Sequence, residues 1–222
     1  MMWGVLVIIA LAVGTFFYVS RPLAAPSNDS TKPNTSTSAA TKPGESVFEI
    51  DSNQSEAKYE IDETLNGNPV HVVGVAKDVK GQIILNTTNP AESKIGPIFI
   101  NARTFKTDNE RRDNTVGRMI LKSEEAANEF ITVTPIKMVE LPEKIEDGKK
   151  FPFSIIGNVT IAGVTQEVAF NGEATKTGNT LVGTTESVIN YADFGLVIPK
   201  LPFLAWVDNK VAISMNFTAN VR

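Results

Sequence analysis

The chain has no cysteine and, among its 222 residues, a single histidine. Without cysteine there can be no disulfide framework, thiolate zinc site, iron–sulfur cluster or cysteine nucleophile. The lone imidazole, His71, lacks the second histidine a zinc site ordinarily uses. No Gly-x-Ser-x-Gly turn offers a serine for it to activate. His71 therefore reads as a surface or packed structural residue. Blocks of lysine and arginine are missing too, and the net charge is -4, which argues against nucleic acid as a partner. The chain is expected not to be an enzyme, with no catalytic residue, no metal and no cofactor beyond a bound ligand.

Charge is also absent from Met1 to Val19. As a helix this run would rise about 28 Å, close to the thickness of a bilayer core. With no basic residue ahead of it, residues 1–20 read as a retained transmembrane anchor, a cleaved signal peptide being the alternative that Pro22-Leu23-Ala24-Ala25 leaves open. Phe16, Phe17 and Tyr18 beside Arg21 suit an interfacial belt. Residues 21–45 are rich in Pro, Ser, Thr, Ala and Asn and nearly free of apolar side chains. They are expected to be a disordered tether, with ends on the order of 30 Å apart, that stands the folded domain off the membrane. The domain would then lie on the extracytoplasmic side.

From residue 46 to 222 the text is dominated by alternation. In GNVTIAGVTQEVAF, from Gly157 to Phe170, Val159 and Ile161 and then Val164, Gln166, Val168 and Phe170 share faces on either side of a glycine turn. Phe48 with Ile50, Ala57 with Tyr59 and Ile61, and Val211 with Ile213, Met215, Phe217 and Ala219 repeat the pattern. Asn66-Gly67 and Asp147-Gly148 mark turns, and Pro135 and Pro152 belong at an edge, bulge or strand end. About eight antiparallel strands follow, enough to close a barrel around one slender ligand.

Two segments break the alternation. From Asp108 to Phe130 the chain is charged, and Ser123-Glu124-Glu125 reads as the cap of a helical turn, so a short helical insertion is expected as a plug or lid. Between Asn190 and Val211 apolar residues crowd a stretch that Pro199 and Pro202 bar from a central strand. That stretch is either a packed corner or the mouth of an apolar cavity.

Four runs in order, Phe48-x-Ile50-Asp51, INARTFKTDNERRD from Ile100 to Asp113, the hairpin GNVTIAGVTQEVAF and YADFGL from Tyr191 to Leu196, resemble the YceI-like family of bacterial polyisoprenoid-binding proteins. The resemblance runs from about Ser46 to the C-terminus. It implies an eight-stranded, lipocalin-like antiparallel barrel with an apolar tunnel for an isoprenoid chain, in exported proteins without catalytic activity. Where members of that family commonly carry His-Ser after the first run, this chain has Gln54-Ser55.

On that basis the ligand-binding candidates are Tyr59, Ile61, Phe99, Phe130, Phe153, Ile155, Phe170, Phe194, Phe203 and Trp206, with Arg111 or Arg112 facing the phosphate end of a prenyl ligand and Asp113 orienting the arginine. The plain alternative is that these side chains fill a core and the charged cluster is a solvated loop. The expected function is to bind and carry a long-chain isoprenoid or similar lipid at the outer face of a bacterial membrane, the alternative being a filled structural or protein-interaction domain. Expected partners are the hydrophobic ligand and the membrane, with a homodimer left open.

Overall fold

The computed structural model describes residues 23–26, 43–201 and 204–222. The expected anchor over 1–20 lies outside these residues, as do Phe203 and most of the expected linker. Among the described residues no helix is long and apolar enough to cross a membrane. Among the described residues the architecture is all-β, antiparallel and lipocalin-like, with one short α-helix.

Thirteen strands make one sheet: β1 Glu45–Ile50, β2 Glu56–Leu65, β3 Asn68–Ala76, β4 Val79–Lys80, β5 Gln82–Asn86, β6 Lys94–Ile95, β7 Ile98–Asn101, β8 Phe130–Val139, β9 Lys150–Ile161, β10 Val164–Thr177, β11 Thr180–Asn190, β12 Leu204–Val207 and β13 Lys210–Val221. Part of the excess over the eight expected has a local cause. Gly81 divides β4 from β5, and Gly96-Pro97 divides β6 from β7. Pairings run β4-β7-β8-β9-β10-β11-β13-β1-β5-β6, so they leave from one half of the 79–86 stretch and return to its other half. The edge of β13 that meets β1 also carries β2, which in turn pairs with β3 and β12.

Turn chemistry sets the registers. Asn66 and Gly67 (φ 51° and 79°) and Ala162 and Gly163 (φ 48° and 83°) both take the positive φ that two-residue hairpins require. Pro135 sits at the register shift between β8 and β9. Pro152 pairs with Glu173 beyond Ser154, the last β9 residue to meet β8, so its missing N–H faces an unpaired edge.

The core is divided along its length. At one end Phe48, Val79, Leu85, Phe151, Phe153, Leu181, Phe217 and Ala219 are buried, with a void of only about 40 Å³ among them. Toward the other end the inward residues Tyr59, Ile61, Ile131, Val133, Ile213 and Met215 are only partly buried, although they lie against the same core. They face a hollow. In the central hairpin Val159, Ile161, Val168 and Phe170 are buried, whereas Val164 is exposed and the exposed Gln166 donates to the Asp193 carbonyl at 2.7 Å. The inward face thus starts at Val168, four residues later than alternation alone suggests.

The insertion differs from expectation in position. Its helix, α1, spans Glu110–Thr115 and is capped by the Asn109 side chain, which accepts from the Arg111 and Arg112 amides at 3.0 and 3.2 Å. A wider turn over Val116–Ile120 follows. Ser123 caps nothing. Its hydroxyl donates to the Gly117 carbonyl at 3.1 Å, and the next turn of the insertion, Ala126–Asn128, has no side-chain cap.

Candidate functional site: an apolar cavity with a charged rim

The hollow has a volume of about 540 Å³, inside the range of about 300–1,000 Å³ usual for small-molecule sites. Its walls come from the inward faces of β2, β7, β8, β9, β11 and β13, including Ile61, Ile100, Val133, Ile155, Ile189 and Ile213. Phe170 of β10 and Val72 of β3 complete the barrel side. One mouth is built from three elements: the β2–β3 turn at Leu65 and Asn66, the insertion with Arg111, Arg112, Thr115 and Val116, and the loop carrying Leu196, Ile198, Pro199 and Leu201. The crowded apolar loop is therefore the wall of the mouth.

The rim holds a partly buried ion pair. Arg112 Nη2 lies 2.9 Å from Glu63 Oε1, and its Nη1 lies 2.5 Å from the exposed Asp108. Burial works against the guanidinium charge, but the Glu63 and Asp108 carboxylates outweigh it and raise the pKa. Arg112 stays charged at any relevant pH. Asp113 does not orient it: its Oδ1 accepts from the Thr107 amide and hydroxyl at 2.8 and 2.7 Å. That carboxylate closes the loop ahead of α1. Tyr59, inside the mouth, packs against Phe105 with ring centroids 5.3 Å apart. Desolvation, with the Asp113 charge second, pushes its phenol well above the usual value, so it remains a neutral donor.

Of the candidate residues, Tyr59, Ile61, Ile155, Phe170, Arg111 and Arg112 line this cavity. Phe153 lines a smaller void at the packed end, with Phe151, Leu181 and Phe217. Phe99 and Phe130 pack edge to face at 6.5 Å on the outside of the cavity wall, with the Lys80 ammonium 5.9 Å from the Phe130 ring. Phe194 is buried in the corner turn Tyr191–Phe194, and Trp206 is 54% exposed. These positions are aromatic, but a strand presents two faces and only register decides between them. The β-branched wall residues Ile98, Ile100, Ile131, Val133, Ile189 and Ile213 are not among the candidates, although alternation marks all of them.

The run Asn101–Asp113 is the scaffold of the rim. Asn101, fully buried, donates to Asp78 and Glu129 at 3.1 and 3.2 Å and accepts from the Arg103 amide at 3.1 Å. Arg103 pairs with Glu129 at 3.0 Å and donates to the Ser123 and Glu124 carbonyls. In the first run, Asp51 accepts from Asn53 and from Gln54 Nε2, and Ser55, 2% exposed, exchanges hydrogen bonds with Thr218. Gln54 is here a turn-closing amide.

The model of the YceI-like domain matches residues 48–219. The chain belongs to the YceI-like family. Solved structures with the same fold include a polyisoprenoid-binding domain from Saccharophagus degradans implicated in plant cell wall breakdown, 12% identical, covering 79% of this chain and 98% of that one with a TM-score of 0.59. BcnA of Burkholderia cenocepacia is 15% identical, with 77% and 99% covered and a TM-score of 0.61. The Campylobacter jejuni YceI protein is 19% identical, with 67% and 84% covered and a TM-score of 0.54. No curated protein matches the chain. At these identities the YceI-like likeness is one of fold.

Proposed function

We propose that this YceI-like chain binds a long-chain isoprenoid, such as a quinone or a prenyl phosphate, or a similar lipid, and carries it non-catalytically at the outer face of a bacterial membrane. The observation that carries this reading is the 540 Å³ hollow, walled by aliphatic side chains in a domain that could have been filled. Apolar walls would replace water around the chain at about 25 cal/mol per Å² of buried apolar surface. A polar head would remain at the rim, where Arg111 is exposed and the neutral Tyr59 phenol lines the cavity. A polyisoprenoid-binding relative of the same fold supports the ligand class. Anchoring through residues 1–20, with the barrel extracytoplasmic, belongs to the same reading.

The test is native mass spectrometry of residues 46–222 purified from a bacterial host, followed by organic extraction. A discrete adduct of isoprenoid mass is expected. A chain that stays bare after incubation with quinones and prenyl phosphates would sink the proposal.

A further inference from the structure

Four residues beyond the uncharged run Met1–Val19, the chain touches its own barrel. Leu23 packs on Gly117 so closely that a Cβ at Gly117 would lie 2.6 Å from Leu23 Cδ2. Two residues on, the Ala25 carbonyl accepts from Arg103 Nη1 at 3.3 Å. That guanidinium is itself fixed by Glu129, Ser123 and Glu124, with its side chain 9% exposed. The contact is therefore made to a rigid point. Gly117 belongs to the turn that follows α1, whose neighbours Val116 and Ile120 line the cavity. The expected free tether is thus docked, at its membrane-proximal end, on the back of the rim.

The distance this allows is short. Four residues span at most about 14 Å, whereas a free tether over residues 21–45 would permit roughly 30 Å. The opposite lip of the same mouth presents unpartnered apolar side chains. Leu196 and Ile198, with Val207 of β12, point into the cavity, while Val197 is 73% and Trp206 54% exposed. A register shift between Leu204 and Trp206 against β2 accompanies that outward tryptophan. Tryptophan beside aliphatic residues is the composition of an interfacial contact with lipid.

We infer that the Leu23–Ala25 strap holds the cavity mouth against the bilayer, with Val197 and Trp206 seated in the lipid interface, so that ligand passes between membrane and cavity without crossing water. This rests on the reading of Met1–Val19 as a retained span. It replaces the stand-off tether with a mouth-down seat.

The absence of cysteine makes the test direct. Full-length Val197→Cys and Asn179→Cys, the latter in the β10–β11 turn at the packed end, are each labelled with an environment-sensitive dye. Both are reconstituted in phosphatidylethanolamine and phosphatidylglycerol vesicles containing brominated acyl chains. The Val197→Cys dye should be quenched at least about twofold more than the Asn179→Cys dye, since interfacial side chains lie within about 5–10 Å of the acyl boundary. Adding Leu23→Asp should bring the two to the same level without changing the melting temperature. Equal quenching in the parent overturns the seat. A difference that survives Leu23→Asp overturns the strap, and an intact mass lacking residues 1–22 in the membrane fraction overturns both. A chain that shows the strap-dependent contrast yet extracts no isoprenoid would keep the seat and lose the proposed function.

Discussion

Tyr59 covers Gly74, its directly opposed partner across β2 and β3: a Cβ at Gly74 would lie 2.1 Å from the tyrosine ring. The same arrangement recurs twice. Phe153 covers Gly172 between β9 and β10, and Phe217 covers Gly183 between β11 and β13, each ring 2.6 Å from where the Cβ would sit. A glycine in a strand gives up side-chain packing, but here it makes room for a ring that lies along the sheet. At the packed end this lets two phenylalanines close the interior. At the open end it lays Tyr59 along the cavity wall.

Gly172→Ala should therefore be destabilising by about 1–3 kcal/mol, the usual cost of overpacking a filled core. The new methyl would meet the Thr184 carbonyl oxygen at 2.6 Å as well as Phe153, and backbone cannot rotate away. At Gly74 the three atoms nearest a new methyl all belong to the Tyr59 ring, which has the cavity to move into. Urea unfolding should show a larger loss for Gly172→Ala, and the reverse order would refute this account.

Most of the fold can be read from alternation, because one buried and one wet face leave a period of two in the text. Asn66-Gly67 and Pro135 also fall where their chemistry predicts. The hollow is a different matter. Phe153 and Phe170 both face inward from adjacent strands, yet one lines the packed end and the other the cavity. That difference depends on which residues stand opposite, and pairing partners far apart in sequence leave no local mark. The helix starts earlier than Ser123 suggests because its cap, Asn109, reads as one more polar residue in a charged run. Asn caps as well as Ser does.

Arg112 and Glu63 should be far more important together than their surface-like sequence suggests. Their side chains are only 14% and 10% exposed, and removing one partner of such a pair leaves the other buried and uncompensated. Arg112→Met is expected to cost about 3 kcal/mol, near the lower end for a buried pair. Adding Glu63→Gln should recover part of that loss. A double-mutant cycle by chemical denaturation measures the coupling, and additive losses would show that the two do not interact.

His71 should titrate above its ordinary value. Its ring nitrogens meet Asp62 at 2.7 Å and Glu60 at 3.2 Å, and those hydrogen bonds raise its pKa, the Asp62 contact most. A raised folded pKa means the stabilisation is complete below about pH 6.5, the unfolded value, and fades as pH climbs through the folded pKa. NMR titration of the imidazole in the parent and in Asp62→Asn reads this directly. The midpoint should fall in the variant, and an unmoved midpoint would rule out the pairing.

Glu56 gives the opposite sign. Hydrogen bonds from Lys58 and then Lys77 hold its pKa at about 2. Its contribution is present above the unfolded value of about 4.3 and is lost as pH falls toward 2. Thermal melts from neutral to acid pH should therefore decline less steeply in Glu56→Gln than in the parent. Parallel declines would mean that Glu56 is not what acid attacks.

Ile213→Trp separates a hollow interior from a filled one. Ile213 projects from the first half of β13 into the cavity and is only partly buried although it lies against the core. In a filled core the added ring volume would force neighbours off their rotamers at about 1–3 kcal/mol. In a 540 Å³ hollow the indole has somewhere to go, so the melting temperature should hold within a degree or two of the parent. The same indole would occupy the space a lipid chain needs, so the adduct seen by native mass spectrometry should disappear. Phe170→Asp should also abolish uptake, but it buries a carboxylate and would weaken the fold at the same time. Ile213→Trp is the cleaner change because stability and binding are expected to part company. A variant that lost both would mean the interior is packed at β13, and one that kept both would put the ligand somewhere else.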